Sequence, residues 1–184
     1  MRYTLLSLLT AATIGLLPLS ASEPPNNTAQ APQAQSATTP SFEFTTIERK
    51  KIEIIETADG FKFPALKGKN IIMMFYIYSG KPCRDELKIF TRIKSNHSDL
   101  EFITFELKGL TPKKLKAFQK ELDLKGLQMI DTQQALPFAE YIAQRAQWQG
   151  SVPLLMITNK KGVVKHMQLG AMSEDEVERT LKEL

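Results

Sequence analysis

The run Asn70-Ile71-Ile72-Met73-Met74-Phe75-Tyr76-Ile77-Tyr78-Ser79-Gly80-Lys81-Pro82-Cys83-Arg84 sets the architecture of this chain. Ile71 to Tyr78 is continuous in apolar residues rather than alternating, and too short to cross a bilayer, so it predicts a strand covered on both faces. It leads straight into Gly80-Lys81-Pro82-Cys83, with proline where the first turn of a helix tolerates it. Leu87, Phe90 and Ile93 then recur at helical spacing among charged residues, which predicts a helix to about Ser95. Cys83 is the single cysteine of the chain. A thiol near a helix start feels unpaired backbone N–H groups and the positive end of the helix dipole, and both favour the thiolate.

Working outward, Leu100 to Leu107 alternates as a strand does, and Thr111-Pro112 opens a helix whose stripe is Leu115, Phe118 and Leu122. Leu127 to Ile130 reads as a short strand and Ala135 to Gln147 as a further helix. Val152-Pro153 precedes the strand Leu154 to Thr158, Asn159 to Gly162 is a turn, and Val163 to Leu169 pairs back as a hairpin. Ser173 with Glu176 fits a capping box, and Val177, Leu181 and Leu184 line the last helix. Upstream, Phe42-Glu43-Phe44 and Lys51 to Glu56 alternate as half-buried strands. The order β-β-β-α-β-α-β-α-β-β-α predicts an α/β sandwich with a mixed sheet.

The N-terminal region is of another kind. A charged start, the apolar run Leu5 to Leu19 and the small residues Ser20-Ala21-Ser22 make residues 1–22 a secretory signal peptide, or else a retained membrane anchor. Residues 23–41, rich in Pro, Ala, Gln, Asn, Ser and Thr, read as a disordered linker. The folded domain is therefore expected over residues 42–184, in a periplasmic protein with no integral span once the signal is removed. The 24 basic and 20 acidic side chains leave a net charge of +4, too small and too dispersed to argue for nucleic acid. Lys113, Lys114, Lys116, Lys120 and Lys125 gather in one region and read first as the solvated face of a helix. With one cysteine, an exported chain forms no internal disulfide.

Four features together resemble the thioredoxin superfamily, in its exported bacterial TlpA-type branch. They are Leu66-Lys67-Gly68-Lys69 before the apolar strand, x-x-Pro-Cys at a strand-to-helix turn, Val152-Pro153 before a strand, and the terminal hairpin and helix. The resemblance covers Phe42 to Leu184. It implies a three-layer sandwich, a central mixed sheet flanked by helices, with an N-terminal strand extension. In that family the motif is Cys-x-x-Cys, whose first cysteine attacks a substrate disulfide and whose second resolves the mixed disulfide. Aligned on Pro82 and Cys83, this chain reads Gly80-Lys81-Pro82-Cys83, so the attacking position is Gly80 and only the resolving thiol remains. Intramolecular dithiol exchange needs two thiols in one site and is excluded. The position of the family's buried carboxylate, six before Gly80, is Met74. By the same resemblance Pro153 is expected to be cis, with Val152 pairing to an extended peptide.

Two readings of Cys83 stand at this stage. In one, Lys81, Arg84 and the helix start make it an acidic thiol that forms mixed disulfides with exported thiol or disulfide proteins. In the other, it is packed under the helix, where desolvation raises its pKa and blocks attack. The matching functions are a single-cysteine redox protein of envelope thiol-disulfide homeostasis and a redox-inactive binding or assembly module. Tyr78 and Trp148 are expected to border the peptide site with Val152 and Pro153. A peroxidase is disfavoured because Gly80 offers no hydroxyl three residues before the cysteine. His97 and His166 are not spaced as metal ligands with Cys83, and no cofactor or metal is expected. Whether the chain is an enzyme turns on Cys83.

Overall fold

The structure, a computed structural model, describes residues 39–184. The signal peptide and all but the last residues of the linker lie outside the described residues. β1 (Ser41–Thr45), β2 (Lys51–Glu56) and β3 (Phe61–Lys62) form an antiparallel three-stranded sheet. β3 adds one strand to the order expected from sequence. Two residues are too few to carry a pattern, and the strand exists because the chain is pinned there. Phe61 N donates to Gly162 O at 2.9 Å, and a β-carbon at Gly162 would lie 1.8 Å from Phe61 O, so only glycine lets the two backbones touch.

The main sheet has the order β6-β5-β4-β7-β8, with β4 (Asn70–Tyr76), β5 (Leu100–Glu106) and β6 (Leu127–Ile130) parallel, and β7 (Leu154–Thr158) and β8 (Val164–Leu169) antiparallel. This is a central mixed sheet flanked by helices. α1 (Lys81–Asn96), α2 (Pro112–Glu121) and α4 (Glu174–Lys182) contribute Leu87, Phe90, Ile93, Leu115, Phe118 and Val177 to the core on one face. On the other face, α3 (Thr132–Ala146) and the three-stranded sheet pack Phe138, Ile142, Phe44 and Ile54 against the strands.

β4 is the centre of the sheet, and Ile71 to Tyr76 all have zero exposure, as a strand covered on both faces requires. β5 differs from the alternating reading. Its register between β4 and β6 buries both sides, so Thr104 and Glu106 are at zero exposure as well. α3 starts three residues earlier than its apolar stripe suggests, because the Asp131 carboxylate caps it by accepting from Gln133 N at 3.1 Å. Ser173 and Glu176 make the full capping box at α4.

Candidate functional site

β4 ends at Tyr76, and a tight turn over residues 77–80 delivers the chain to α1. Gly80 N donates to Ile77 O at 3.2 Å, and Gly80 O accepts the first helical bond from Arg84 N at 3.0 Å. Gly80 is thus the N-cap, with φ −78° and ψ 121°, Lys81 and Pro82 fill the first helical positions, and Cys83 is in the first turn. The register of β4 with β7 ends where Phe75 faces Leu154, so the motif turn after β4 and the segment before β7 that carries Val152 and Pro153 lie at the same end of the central strand. The Val152–Pro153 bond is cis.

Cys83 is 1% exposed. Burial pushes its thiol up from the ordinary value, a backbone hydrogen bond with Ile77 acts the other way, and the neighbouring Glu86 carboxylate raises it further. The two cations flanking Cys83 are engaged elsewhere. Lys81 Nζ lies 2.5 Å from Asp85, and Arg84 lies 2.7 Å from Glu121 while stacking over Phe118 at 5.4 Å. The helix start is therefore outweighed by desolvation, as in the second of the two readings of this thiol.

Gly80 decides what the site can do. A β-carbon built there would sit 3.3 Å from Cys83 Sγ and 3.2 Å from Ile77 Cγ1. Gly80 itself carries no side chain that could act beside Cys83.

Two buried carboxylates that sequence reasoning passed over frame this end of the sheet. Glu106, at the end of β5, accepts from Lys108 N at 2.8 Å, Leu110 N at 3.0 Å and Tyr78 N at 3.4 Å, and from the Thr132 hydroxyl. It ties the motif turn, the loop after β5 and the start of α3 together. Glu86, one turn into α1, accepts from Met172 N at 2.8 Å, and its second oxygen is unpartnered. Burial pushes its carboxyl up to about 7. The signal available for Glu86 was its place three residues after Cys83, on the stripe shared by Leu87 and Phe90. Tyr76, fully buried, also carries an unpartnered hydroxyl, whose ionisation burial and the Glu106 charge oppose strongly.

Trp148 is buried at 8% exposure, packs on Phe75 at 5.4 Å, and donates Nε1–H to Ser151 O at 2.7 Å. It fixes the loop that presents Val152 and Pro153, and one side of it lines a cavity of about 480 Å³ with Leu154, Met167 and Leu169. Tyr78 is half-buried and meets the Phe118 ring edge-on at 6.4 Å. His97 reaches Glu178 at 2.9 Å and His166 reaches Gln168 at 3.2 Å, both remote in their contacts from Cys83. Among the described residues no helix is long and apolar enough to cross a membrane.

No family model matches the chain. The thioredoxin-like protein YneN of Bacillus subtilis is 26% identical over 118 residues, covering 62% of this chain and 65% of that protein, so the match spans just under two thirds of the relative's length. The solved structure of StoA from Bacillus subtilis superposes with a TM-score of 0.57 at 17% identity, covering 79% of this chain and 98% of that one. The exposed lipoprotein thioredoxin of Streptococcus pneumoniae gives a TM-score of 0.59 at 22% identity, covering 79% and 100%. The fold is thioredoxin-like, of the kind found in thiol-disulfide oxidoreductases.

Proposed function

We propose that this thioredoxin-fold chain is an exported binding module that holds extended segments of thiol- or disulfide-bearing partner proteins beside Val152 and Pro153, without exchanging disulfides itself. One observation carries this reading: the sole cysteine, Cys83, is 1% exposed, and Gly80, which the family resemblance aligns with the attacking cysteine, has no side chain. A buried thiol with a raised pKa presents almost no thiolate at neutral pH. The proposed wall is supported by Trp148, which donates to Ser151 O and so pins the loop that carries Val152 and Pro153. Export rests on the signal-like residues 1–22, and agrees with the description of the pneumococcal neighbour as an exposed lipoprotein.

The second reading keeps one thiol in play. Cys83 as thiolate attacks a partner disulfide, forms a mixed disulfide and releases the other partner sulfur as thiolate; a further external thiol must then free it. It is favoured by the backbone hydrogen bond with Ile77, which draws the thiol toward its ionised form.

Trp148, the sole tryptophan, sits at the wall and serves as the probe. Titration with an uncharged extended peptide is expected to change its emission equally in the native chain and in Cys83→Ser, and to fail in Val152→Pro, which lacks the main-chain donor. Loss of the response in Cys83→Ser would transfer the conclusion to the single-thiol reading. Loss in neither variant would remove the wall from the function.

A further inference from the structure

The five lysines between Leu107 and Lys120 occupy places that the fold does not explain. Lys108, Lys113, Lys114, Lys116 and Lys120 are all exposed, and no acid lies among the fourteen residues, which leaves 19 basic and 20 acidic side chains in the rest of the chain. The net positive charge of the protein therefore resides in this one segment. Among the described residues none of the five makes an ion pair.

Helix energetics argue against such placement. Lys113 and Lys114 stand in the first turn of α2, which has no acid, where the dipole disfavours cations. Lys113, Lys116 and Lys120 then recur at i, i+3 and i+7, opposite the buried Leu115 and Phe118, where like charges repel one another. α4 shows the ordinary arrangement, with Glu174, Asp175 and Glu176 in its first turn and Arg179 and Lys182 in its last. Lys120 stands in the last turn of α2, where a cation is favoured, but the rest of the pattern works against the helix.

The segment is continuous with the motif. Lys108 Nζ lies 3.3 Å from Ser79 Oγ, and Phe118 of α2 is touched by both Tyr78 and Arg84. Lys81 at the motif, paired with Asp85, is itself highly exposed. Leu115 and Phe118, the large apolar side chains of α2, are turned into the core, so the helix offers nothing to insert into a bilayer.

From this charge segregation we infer that the α2 face with Lys108 and Lys81 is a docking surface for an acidic protein segment. It supplies the charge selectivity of the peptide site proposed above, on which it rests for the place of the partner.

The test uses the chain as secreted and two labelled ten-residue peptides, alternating Glu-Thr and alternating Gln-Thr, with phosphatidylglycerol vesicles as a third probe. The Glu peptide is expected to bind about tenfold tighter than the Gln peptide at low salt, the preference fading as salt screens it. Lys113→Gln/Lys116→Gln/Lys120→Gln abolishes the preference and leaves Gln-peptide binding unchanged. An equal charge loss at the exposed Lys62, Lys161 and Lys165, on β3, the β7–β8 turn and the edge strand β8, preserves it. Equal affinity for both peptides, or equal losses in both triple variants, overturns the basic docking surface while leaving the peptide site standing. Vesicle binding that depends on the three lysines, without peptide preference, overturns it in favour of a membrane. Failure of both peptides to bind the native chain removes the peptide site, and the basic docking surface with it.

Discussion

The β-carbon that a side chain at Gly80 would carry stands 3.3 Å from the sulfur of Cys83. In a disulfide, a sulfur-sulfur bond of about 2.04 Å leaves each β-carbon about 3 Å from the far sulfur. The Gly80 backbone, at φ −78° and ψ 121°, is a conformation any residue adopts. Gly80→Cys is therefore expected to form an internal disulfide with Cys83 after Ile77, 3.2 Å away, shifts by a few tenths of an ångström. Mass analysis after alkylation in denaturant checks it: one unmodified pair in the oxidised variant, two modified thiols after reduction. The same variant is expected to gain insulin reduction. Two free thiols in the oxidised variant would show that the motif backbone is no longer arranged for the pair.

Cys83 in the native chain is expected to alkylate at least about tenfold more slowly than after unfolding, since attack on a 1% exposed sulfur waits for local opening. Its rate should rise only at pH above the free-thiol range, because burial and Glu86 both hold the proton on. A fast reaction at neutral pH would restore the single-thiol reading.

Most of the architecture was legible because β4 and α1 carry signals that no neighbour overrides: a continuous apolar run, a proline at N2, a stripe at Leu87, Phe90 and Ile93. The capping residues Thr111 and Ser173 were readable for the same local reason. β3 was not, since its two residues are strand only by contact with Gly162. The site was half legible. That residue 80 is glycine is a matter of spelling, but the state of Cys83 depends on what covers it and on where Lys81 and Arg84 point. Those are tertiary facts. Glu86 and Glu106 look like ordinary surface acids in the sequence, and only the loop at Met172 and the amides of Lys108 and Leu110 reveal why they are inside.

Glu106 is expected to be a keystone of the motif turn. Glu106→Ala leaves the buried amide of Leu110 and the part-buried amides of Lys108 and Tyr78 without their acceptor; a buried unsatisfied group costs about 1–3 kcal/mol and one that water can reach costs less. Loss of about 2–4 kcal/mol in denaturant unfolding, with faster alkylation of Cys83 in the folded state, is the expected result; Glu106→Gln, which keeps an acceptor, should lose less. Wild-type stability in Glu106→Ala would mean that these bonds are not holding the turn.

Glu86 predicts a pH dependence with a definite sign. Its carboxyl rises from an ordinary 4.5 to about 7 on folding, because burial disfavours the charge more than the Met172 amide favours it. The folded state thus binds this proton more tightly than the unfolded chain does. Its contribution is fully present below about pH 4.5 and is lost as pH rises through 7. At about 1.4 kcal/mol for each pKa unit, the native chain should lose on the order of 3 kcal/mol between pH 4.5 and 8 from this group. Glu86→Gln keeps an oxygen for the Met172 amide and cannot ionise, so its stability should lack that fall. Urea unfolding of both proteins at pH 5, 6, 7 and 8 measures it, and the difference between them isolates Glu86 from every other group titrating in the window. Parallel curves for the two proteins would place the Glu86 carboxylate in contact with water, and with it the charge that helps keep Cys83 protonated.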